Sequence, residues 1–380
     1  MQLMRRLRPI GLVMGLCAVS VPKEASALSV DDSTLGTLMR YFTDSKKVAV
    51  RSYMGDYTIP LSADASLLIH YNNERVTVPA IQAPAGSQEA IDAITTASRP
   101  ISGNAYSDYI KVRNEFVGEL NRGGSGLEYY YSTESDYLAQ LFGGHVSRDL
   151  HNQQLNLSFG SSYGWDRIDP LADDDTNTGP SHKNTLHLDA VATQIVTPRT
   201  LVRVGLELNQ VEGLQHNPYR NVYAGGTNVP ERSPDHRQRR DAFVKLNQYL
   251  ANRSSVKLSY RFYDDDWGVV SHEIESTLAQ YVTRGLYAQY QYRYYTQTAA
   301  YFYMPEYPTV NGVDGYLTGD YRLSNLSSHL FGASLNFDLS TLAADVPALR
   351  RMGVRVDYER YFNSNNYSAD ILETGIDFRF

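Results

Sequence analysis

The chain has 380 residues, of which 42% are hydrophobic and 20% are charged, and its formal net charge at pH 7 is -7. Beyond the first 27 residues there is no run of about 18 to 20 apolar residues, which excludes a membrane protein built of helices. The acidic balance argues against nucleic acid as a partner. The 30 tyrosines are the notable excess. Tyrosine concentrates at bilayer interfaces, although a tyrosine-rich soluble β-sandwich would show the same count.

The N-terminus has the pattern of an export signal. Arginines at positions 5, 6 and 8 precede an apolar run over residues 10–21, and Ala25-Ser26-Ala27 supplies a cleavage site. We expect residues 1–27 to be a signal peptide and residues 28–380 a single barrel domain. The one cysteine, Cys17, lies in the signal. The mature chain therefore has no thiol for a disulfide, a metal or covalent haem, and we expect no cofactor.

From Leu35 onward, segments that alternate apolar and polar residues recur between links, which predicts β-strands. About sixteen strands are predicted, over residues 35–44, 47–60, 66–78, 106–120, 126–137, 141–150, 153–168, 182–196, 200–213, 239–250, 255–264, 272–281, 285–304, 327–339, 353–362 and 369–380. An even number suits a closed antiparallel transmembrane barrel whose two ends lie in the periplasm.

The links between these strands sort by side. Every second link is short, apart from the somewhat longer Ser340 to Met352. The intervening links are mostly long, notably Pro79 to Ala105, 214–238 and 305–326. This asymmetry is typical of bacterial outer-membrane barrels. The link Pro79 to Ala105 would contain one or two helical turns that either fold into the pore or cap its rim. The stretch Leu28 to Thr34 is too short for a plug, so we do not expect a gated siderophore-type transporter.

Side-chain parity predicts which residues face lipid. Leu206 and Leu208 share one face of their strand, while Arg203 and Glu207 share the other. A charge at the bilayer midplane costs about 2 to 4 kcal/mol on the lipid face, so the charged face must be the lumen. The predicted pore-lining residues are Lys111, Arg113, Glu115, Arg203, Glu207, Lys257, Arg261, Arg293, Arg355, Asp357, Glu359, Glu373 and Arg379.

The last strand is predicted to close the barrel. Ile376, Phe378 and Phe380 share its apolar face, and its partner must be the first strand if no backbone is to stay unpaired in lipid. The aromatic terminal residue resembles the C-terminal signal that the assembly machinery of outer-membrane barrels reads. The bilayer and that machinery are therefore expected partners.

Two clusters suggest alternative chemistry. Asp173, Asp175 and Asn177 have the alternate spacing of oxygen ligands for Ca²⁺, but a solvated acidic loop explains them better. The run from Asp264 to Asp266, followed by Ser271 and His272, could form a hydrolase at the barrel rim. A polar hairpin with Trp267 in an interfacial aromatic girdle is the simpler interpretation.

Two further features have structural explanations. His216 and His236 lie in one long link, where a loop held by arginine-to-carboxylate contacts explains the residues better than a metal site does. Tyrosines crowd the region from Tyr287 to Tyr303. Packing in the girdle and the lumen accounts for them more simply than electron transfer or sugar binding does.

Several motifs resemble a bacterial outer-membrane family, Domain of Unknown Function 3570. They are Asn217-Pro218-Tyr219-Arg220, Pro230-Glu231-Arg232-Ser233-Pro234-Asp235, Leu246-Asn247-Gln248-Tyr249, Asp265-Asp266-Trp267-Gly268 with Ser271-His272, and Tyr292-Arg293-Tyr294-Tyr295-Thr296-Gln297. The resemblance implies a porin-like barrel and carries no catalytic residues.

The sequence therefore predicts a non-enzymatic passage across the outer membrane, as a monomer or a trimer. Two alternatives remain open. The barrel could be a sleeve around a partner multihaem c-type cytochrome in an electron conduit, or, less simply, a surface hydrolase that uses His272.

Overall fold

The structure, a computed structural model, describes residues 33–78, 109–170, 179–342, 346 and 349–380. Of the strands in this part of the chain, sixteen form one closed antiparallel barrel and two form a separate hairpin. The first nine barrel strands are β1 (Thr34–Asp44), β2 (Ala49–Ser62), β3 (Ala65–Val78), β4 (Tyr109–Arg122), β5 (Ser125–Thr133), β6 (Tyr137–Leu150), β7 (Leu155–Ile168), β8 (Ser181–Thr197) and β9 (Thr200–Gly213).

The remaining elements complete the barrel and one loop. The hairpin is β10 (Asn221–Ala224) and β11 (Thr227–Pro230). The other barrel strands are β12 (His236–Tyr249), β13 (Ser254–Asp265), β14 (Val270–Thr283), β15 (Leu286–Gln297), β16 (Leu326–Asp338), β17 (Met352–Asn363) and β18 (Ser368–Arg379). Each barrel strand pairs with its sequence neighbour in the barrel, and β1 pairs with β18.

The closing seam lies between the first and last strands. Leu35 is opposite Phe378, and the backbone N–H of Phe380 donates to the carbonyl of Ser33 at 3.0 Å. A closed sheet has no edge strand, so its backbone groups are paired within the sheet. The prediction of a closed barrel of about sixteen strands is confirmed.

The outer face of the barrel is apolar. Leu206 is 62% exposed and Phe331 50% exposed, and many other large apolar side chains are likewise uncovered. A surface of this kind would promote aggregation in water, whereas it matches the hydrocarbon of a bilayer. Within the described residues, no helix is both long and apolar enough to cross a membrane.

The two rims of the barrel differ in the length of their connections. One rim carries both ends of the described chain and tight turns such as 123–124 and 198–199. The other rim carries the long connections that we call loop A (214–235) and loop B (298–325). In outer-membrane barrels the short turns face the periplasm, so loops A and B lie on the extracellular side.

Two predicted details are wrong, and one element was not predicted. The turn between β5 and β6 lies at 134–136 rather than at 138–140, because β6 begins at Tyr137, which pairs with Ile168. The strand predicted to reach Met304 ends at Gln297, where the chain enters loop B. The β10–β11 hairpin, which turns at Gly225 and Gly226 with positive φ angles of 58° and 84°, was not predicted.

Some predictions fall on residues that the structure does not describe. The signal peptide, the link Pro79 to Ala105 and the acidic run Asp173 to Asn177 all lie outside the described ranges. They stay predictions.

Candidate functional site in the barrel lumen

A cavity shared by distant strands identifies the inner face of the barrel. Arg113 on β4, Asn209 on β9 and Arg239 on β12 all line it. Only the interior of a closed barrel brings these strands to one space. Residues directly opposite each other in neighbouring strands lie on the same face. The pairing of opposite residues therefore identifies the inner face of each strand in turn. It leads from Arg239 to Asp265 and, strand by strand, round the sheet to Arg113.

By this register, the charged residues singled out in the sequence all lie on the inner face. They are Lys111, Arg113, Glu115, Arg203, Glu207, Lys257, Arg261, Arg293, Arg355, Asp357, Glu359, Glu373 and Arg379. Their part in conducting a solute belongs to the proposal below.

Many of these charges form ion pairs along the wall. The Nε atom of Arg40 lies 2.5 Å from a carboxylate oxygen of Glu373, which Arg355 also approaches at 3.7 Å. On the other side of the barrel, Arg261 lies 3.3 Å from both Glu207 and Asp241. Because acids and bases alternate around the wall, neither sign dominates the lumen.

The three residues proposed for closure lie on the outer face of β18. Ile376 is 45% exposed, and Phe380 is 38% exposed with its ring centroid 6.4 Å from that of Tyr57 on β2. Phe378 packs edge-on against Phe380 at 5.0 Å. The aromatic end therefore spans the seam between β18 and the first two strands. Its role as an assembly signal stays a prediction.

Loops A and B pack together over the extracellular mouth. Val222 and Ala224 from loop A form a buried apolar cluster with Tyr307 and Leu317 from loop B. The loops also exchange backbone hydrogen bonds, in which Arg232 and Leu317 each donate to the other's carbonyl at 3.0 and 2.9 Å. The two loops therefore form one packed unit.

A buried ionic network joins the same two loops. Arg220 lies 3.2 Å from Glu231 within loop A and 3.3 Å from Asp320 in loop B, with the side chains of Arg220 and Glu231 5% and 2% exposed. Thr318 of loop B donates a short hydrogen bond to Glu231. The predicted arginine-to-carboxylate contacts in this loop are confirmed, and they involve two of the motifs quoted above.

Burial and neighbouring charges shift the pKa values of Glu231 and Asp320, the two carboxyls of this network, in opposite directions. Burial raises the pKa of Glu231, although Arg220 and the hydroxyl of Thr318 act in the opposite direction. Burial also acts to raise the pKa of Asp320, but the hydrogen bonds and charge of Arg322, at 2.6 Å, outweigh it and hold that pKa below its usual value.

Contacts with other connections tie the packed loops to the rim. The hydroxyl of Tyr219 in loop A donates a short hydrogen bond to Asp136, between β5 and β6. In loop B, Ser324 accepts a hydrogen bond from Asn365, between β17 and β18, at 3.1 Å. Loop A is therefore held to the connection between β5 and β6, and loop B to the nearby connection between β17 and β18.

A cavity of about 540 Å³ lies between the loops and the wall. Its charged lining residues are Arg113, Glu134, Asp166, Lys183, Arg220, Glu231, Arg237, Arg239, Asp320 and Arg322. Strands β4 to β9 and β12 contribute to it together with loops A and B. This volume accommodates a small solute.

Trp267 is buried, which corrects its prediction as a girdle residue. Its side chain is 3% exposed and packs edge-on against Phe302 of loop B, with ring centroids 5.2 Å apart. Its indole N–H donates to the carbonyl of His236 at 2.9 Å, and the guanidinium of Arg237 lies 4.2 Å from its ring centre. The tryptophan therefore anchors loop B to the wall rather than facing lipid.

The candidate hydrolase residues do not converge. His272 lies on the outer face, where its ring stacks near Tyr260, whereas the preceding Ser271 points inward. Asp265 also points inward, and both of its carboxylate oxygens accept hydrogen bonds from other groups. Asp264 lies outside the lumen, 3.3 Å from Arg240. A serine, an imidazole and a carboxylate in this segment therefore cannot act on one substrate.

The remaining candidates also have structural roles. His216 lines the cavity, whereas His236 is exposed and lies 3.4 Å from Asp266. In the tyrosine-rich region, Tyr290 is 57% exposed on the outer face, and Tyr287 faces the interior. Packing on both faces, as predicted, explains these tyrosines.

Sequence reasoning missed the residues that matter most to the cavity. The strand predicted from the sequence begins at Arg239, and Arg237 falls in the link before it. Both share the period of two with Lys245, so the signal was present in β12. Nothing in the sequence pattern indicated that Arg220 of loop A would meet Asp320.

A closed barrel with an apolar exterior, a charged interior and long loops on one side is a bacterial outer-membrane β-barrel of the porin-like class. The chain belongs to the family described as protein of unknown function (DUF3570), whose model matches residues 17–371. No curated protein matches it.

Several solved structures resemble this chain. The outer membrane protein OprD from Pseudomonas aeruginosa is 12% identical, with 94% of this chain and 96% of OprD covered and a TM-score of 0.46. A loop-deletion mutant of OmpT, an outer membrane protein of Vibrio cholerae, is 8% identical, with 92% and 98% covered and a TM-score of 0.43.

A siderophore receptor is also similar. PirA from Pseudomonas aeruginosa is 13% identical, with a TM-score of 0.41, and 87% of this chain is covered. This chain spans only 56% of that receptor's length. Identities this low do not indicate a shared activity.

Proposed function

We propose that this protein is an outer-membrane channel for small polar solutes, narrowed at its extracellular mouth by loops A and B. The observation that carries the proposal is the cavity of about 540 Å³ between those loops and a wall of paired charges. Barrels of about sixteen strands enclose an aqueous lumen unless loops fill it. Here the loops would restrict passage by size.

The channel needs no chemistry of its own. Ser271 and His272 point to opposite faces of β14, and Asp265 is engaged by its own hairpin. We propose that the protein acts by conduction and not by catalysis.

A sleeve around a multihaem cytochrome is less well supported. Such a sleeve must admit a folded protein, whereas Tyr219 and Ser324 hold the two loops to separate parts of the rim. Binding a cytochrome from the extracellular side would require both contacts and the buried Arg220 network to break. Passage of a small solute would not require any of these contacts to break.

Reconstitution into planar bilayers and liposomes tests the proposal. We expect discrete conductance steps with weak preference between cations and anions, because the lumen charges are of both signs. Liposomes should swell faster in arabinose than in the larger raffinose. Liposomes without protein are the control. Silent bilayers combined with no swelling in arabinose would refute the channel. A cytochrome that co-purifies from outer membranes and blocks swelling would favour the sleeve.

A further inference from the structure

We propose that Arg239 forms a binding subsite for a small organic anion, a carboxylate with a neighbouring hydroxyl or amino group. The subsite lies in the extracellular cavity. The inference deepens the proposed channel function and rests on it for its biological role.

Arg239 differs from the other cations of the cavity. Among the described residues, no carboxylate lies within 4 Å of its guanidinium, and its Nε is buried with no hydrogen-bond partner. The other cations of the lining have carboxylate partners, namely Arg113 with Glu74, Lys183 with Asp166, Arg220 with Glu231, Arg237 with Asp265 and Arg322 with Asp320.

The nearest carboxylate in the register already accepts hydrogen bonds on both of its oxygens. Asp265 lies directly opposite Arg239, but one of its oxygens accepts from Arg237 at 2.5 Å and from Tyr263 at 2.6 Å. Its other oxygen accepts from the backbone N–H groups of Trp267 and Val269 at 3.0 and 2.9 Å. Arg239 therefore keeps a positive charge that no neighbour neutralises.

Other polar groups of the same cavity also lack hydrogen-bond partners among the described residues. Asn209 is its partner on β9, and the amide oxygen of Asn209 is buried without a hydrogen-bond donor among the described residues. The hydroxyl of Ser233 in loop A and the Nε of Arg113 on β4 also lack partners and line the same cavity. Buried polar groups left unpaired are costly, so a ligand that satisfies them binds favourably.

These groups define the chemistry of the ligand. The guanidinium fork matches the two oxygens of a carboxylate. The oxygen of Asn209 requires a donor, which a hydroxyl or an amino group beside the carboxylate would supply. Sugar acids and amino acids have both features and fit a cavity of this volume.

Fluorescence of Trp267 gives a binding assay that does not depend on conduction. Trp267 lines the cavity, and the chain's other tryptophan is Trp165 on the outer face. In detergent-solubilised protein carrying Trp165→Phe, sodium gluconate should change the emission in a saturable way. Glucose, which lacks the carboxylate, should not.

Three variants separate the subsite from the general charge of the lumen. Arg239→Gln should weaken gluconate binding by about ten- to hundredfold, the loss typical of a hydrogen bond to a charged group. Arg203→Gln removes the same charge from an exposed inner position outside the cavity and should leave binding unchanged. Arg239→Lys keeps the positive charge but loses the two-pronged guanidinium, so it should bind gluconate with intermediate affinity. It replaces Arg239→Gln as the test variant if the glutamine variant does not fold.

The outcomes distinguish this inference from the channel itself. Equal binding by wild type and Arg239→Gln, equal effects of gluconate and glucose, or equal losses in the two glutamine variants would each overturn the subsite. Saturable gluconate binding lost only at Arg239 supports it even if bilayers stay silent, in which case the channel proposal alone fails. Sodium sulfate competing as well as gluconate would overturn the assignment to organic acids.

Discussion

The Arg220 network offers the sharpest test of how the loops are held. Replacing Arg220 with methionine removes the cation and leaves the carboxylate of Glu231 buried without a charged partner, whereas Asp320 keeps Arg322. Breaking a buried ion pair by removing one partner costs about 3 to 5 kcal/mol. Since each 1.4 kcal/mol is a factor of ten, the equilibrium between packed and released loops should shift roughly 100- to 4000-fold.

Hydrogen exchange read by mass spectrometry measures this shift directly. The backbone amides of Arg232 and Leu317, which pair across the two loops, should lose protection in Arg220→Met by a comparable factor. The amides of barrel strands such as β8 should be unaffected, because the network lies outside the sheet. Single-channel conductance of the same variant should rise as the mouth opens.

Arg232→Met is the matched control. This arginine is in the same loop but is exposed, and it donates one hydrogen bond to the carbonyl of Val310 at 2.7 Å. Its loss should cost about 1 kcal/mol or less. Unchanged loop protection in Arg220→Met, or equal effects in the two variants, would refute the argument that the buried network holds the mouth.

The remaining predictions concern pH, orientation and closure. Burial lowers the pKa of His216, so the docked loops should lose protection from exchange as the pH falls below about 6.5. That loss should disappear in His216→Asn. The raised pKa of Glu231 has the opposite effect on stability as the pH falls, but this effect is the same in both proteins and cancels when they are compared. Leu206→Lys should reduce folding into vesicles, at a cost of about 2 to 4 kcal/mol. Gln289→Lys, on the inner face of β15 opposite the uncharged Ala279 and Ser334, should fold normally. Equal folding yields would contradict the assigned faces. Phe380→Ala should lower the yield of heat-modifiable barrel in outer membranes, and an unchanged yield on gels would remove its proposed part in assembly.

The barrel was predictable because its signal is local. Each strand carries its own period of two, so the faces of Leu206, Glu207 and Glu373 could be assigned without knowing any partner. Strand ends were harder. Ser135 and Asp136 are favourable turn residues directly before β6, but whether Tyr137 belongs to β5 or to β6 is decided by its pairing with Ile168 of β7.

The loops were not predictable because their stabilising contacts are distant in sequence. Arg220 and Asp320 are far apart along the chain, and Trp267 looks the same in a sequence whether it faces lipid or the packed interior. Only the tertiary structure brings Tyr219 to Asp136 and leaves Arg239 without a carboxylate.

The sequence by itself determined that the sheet closes, which side chains face lipid, and which rim carries the long connections. The reason is that alternation along a strand is sufficient to sort residues between hydrocarbon and water. The tertiary structure decided how the mouth is covered and which cation in the cavity lacks a partner, since a buried ion pair depends on where two remote segments meet.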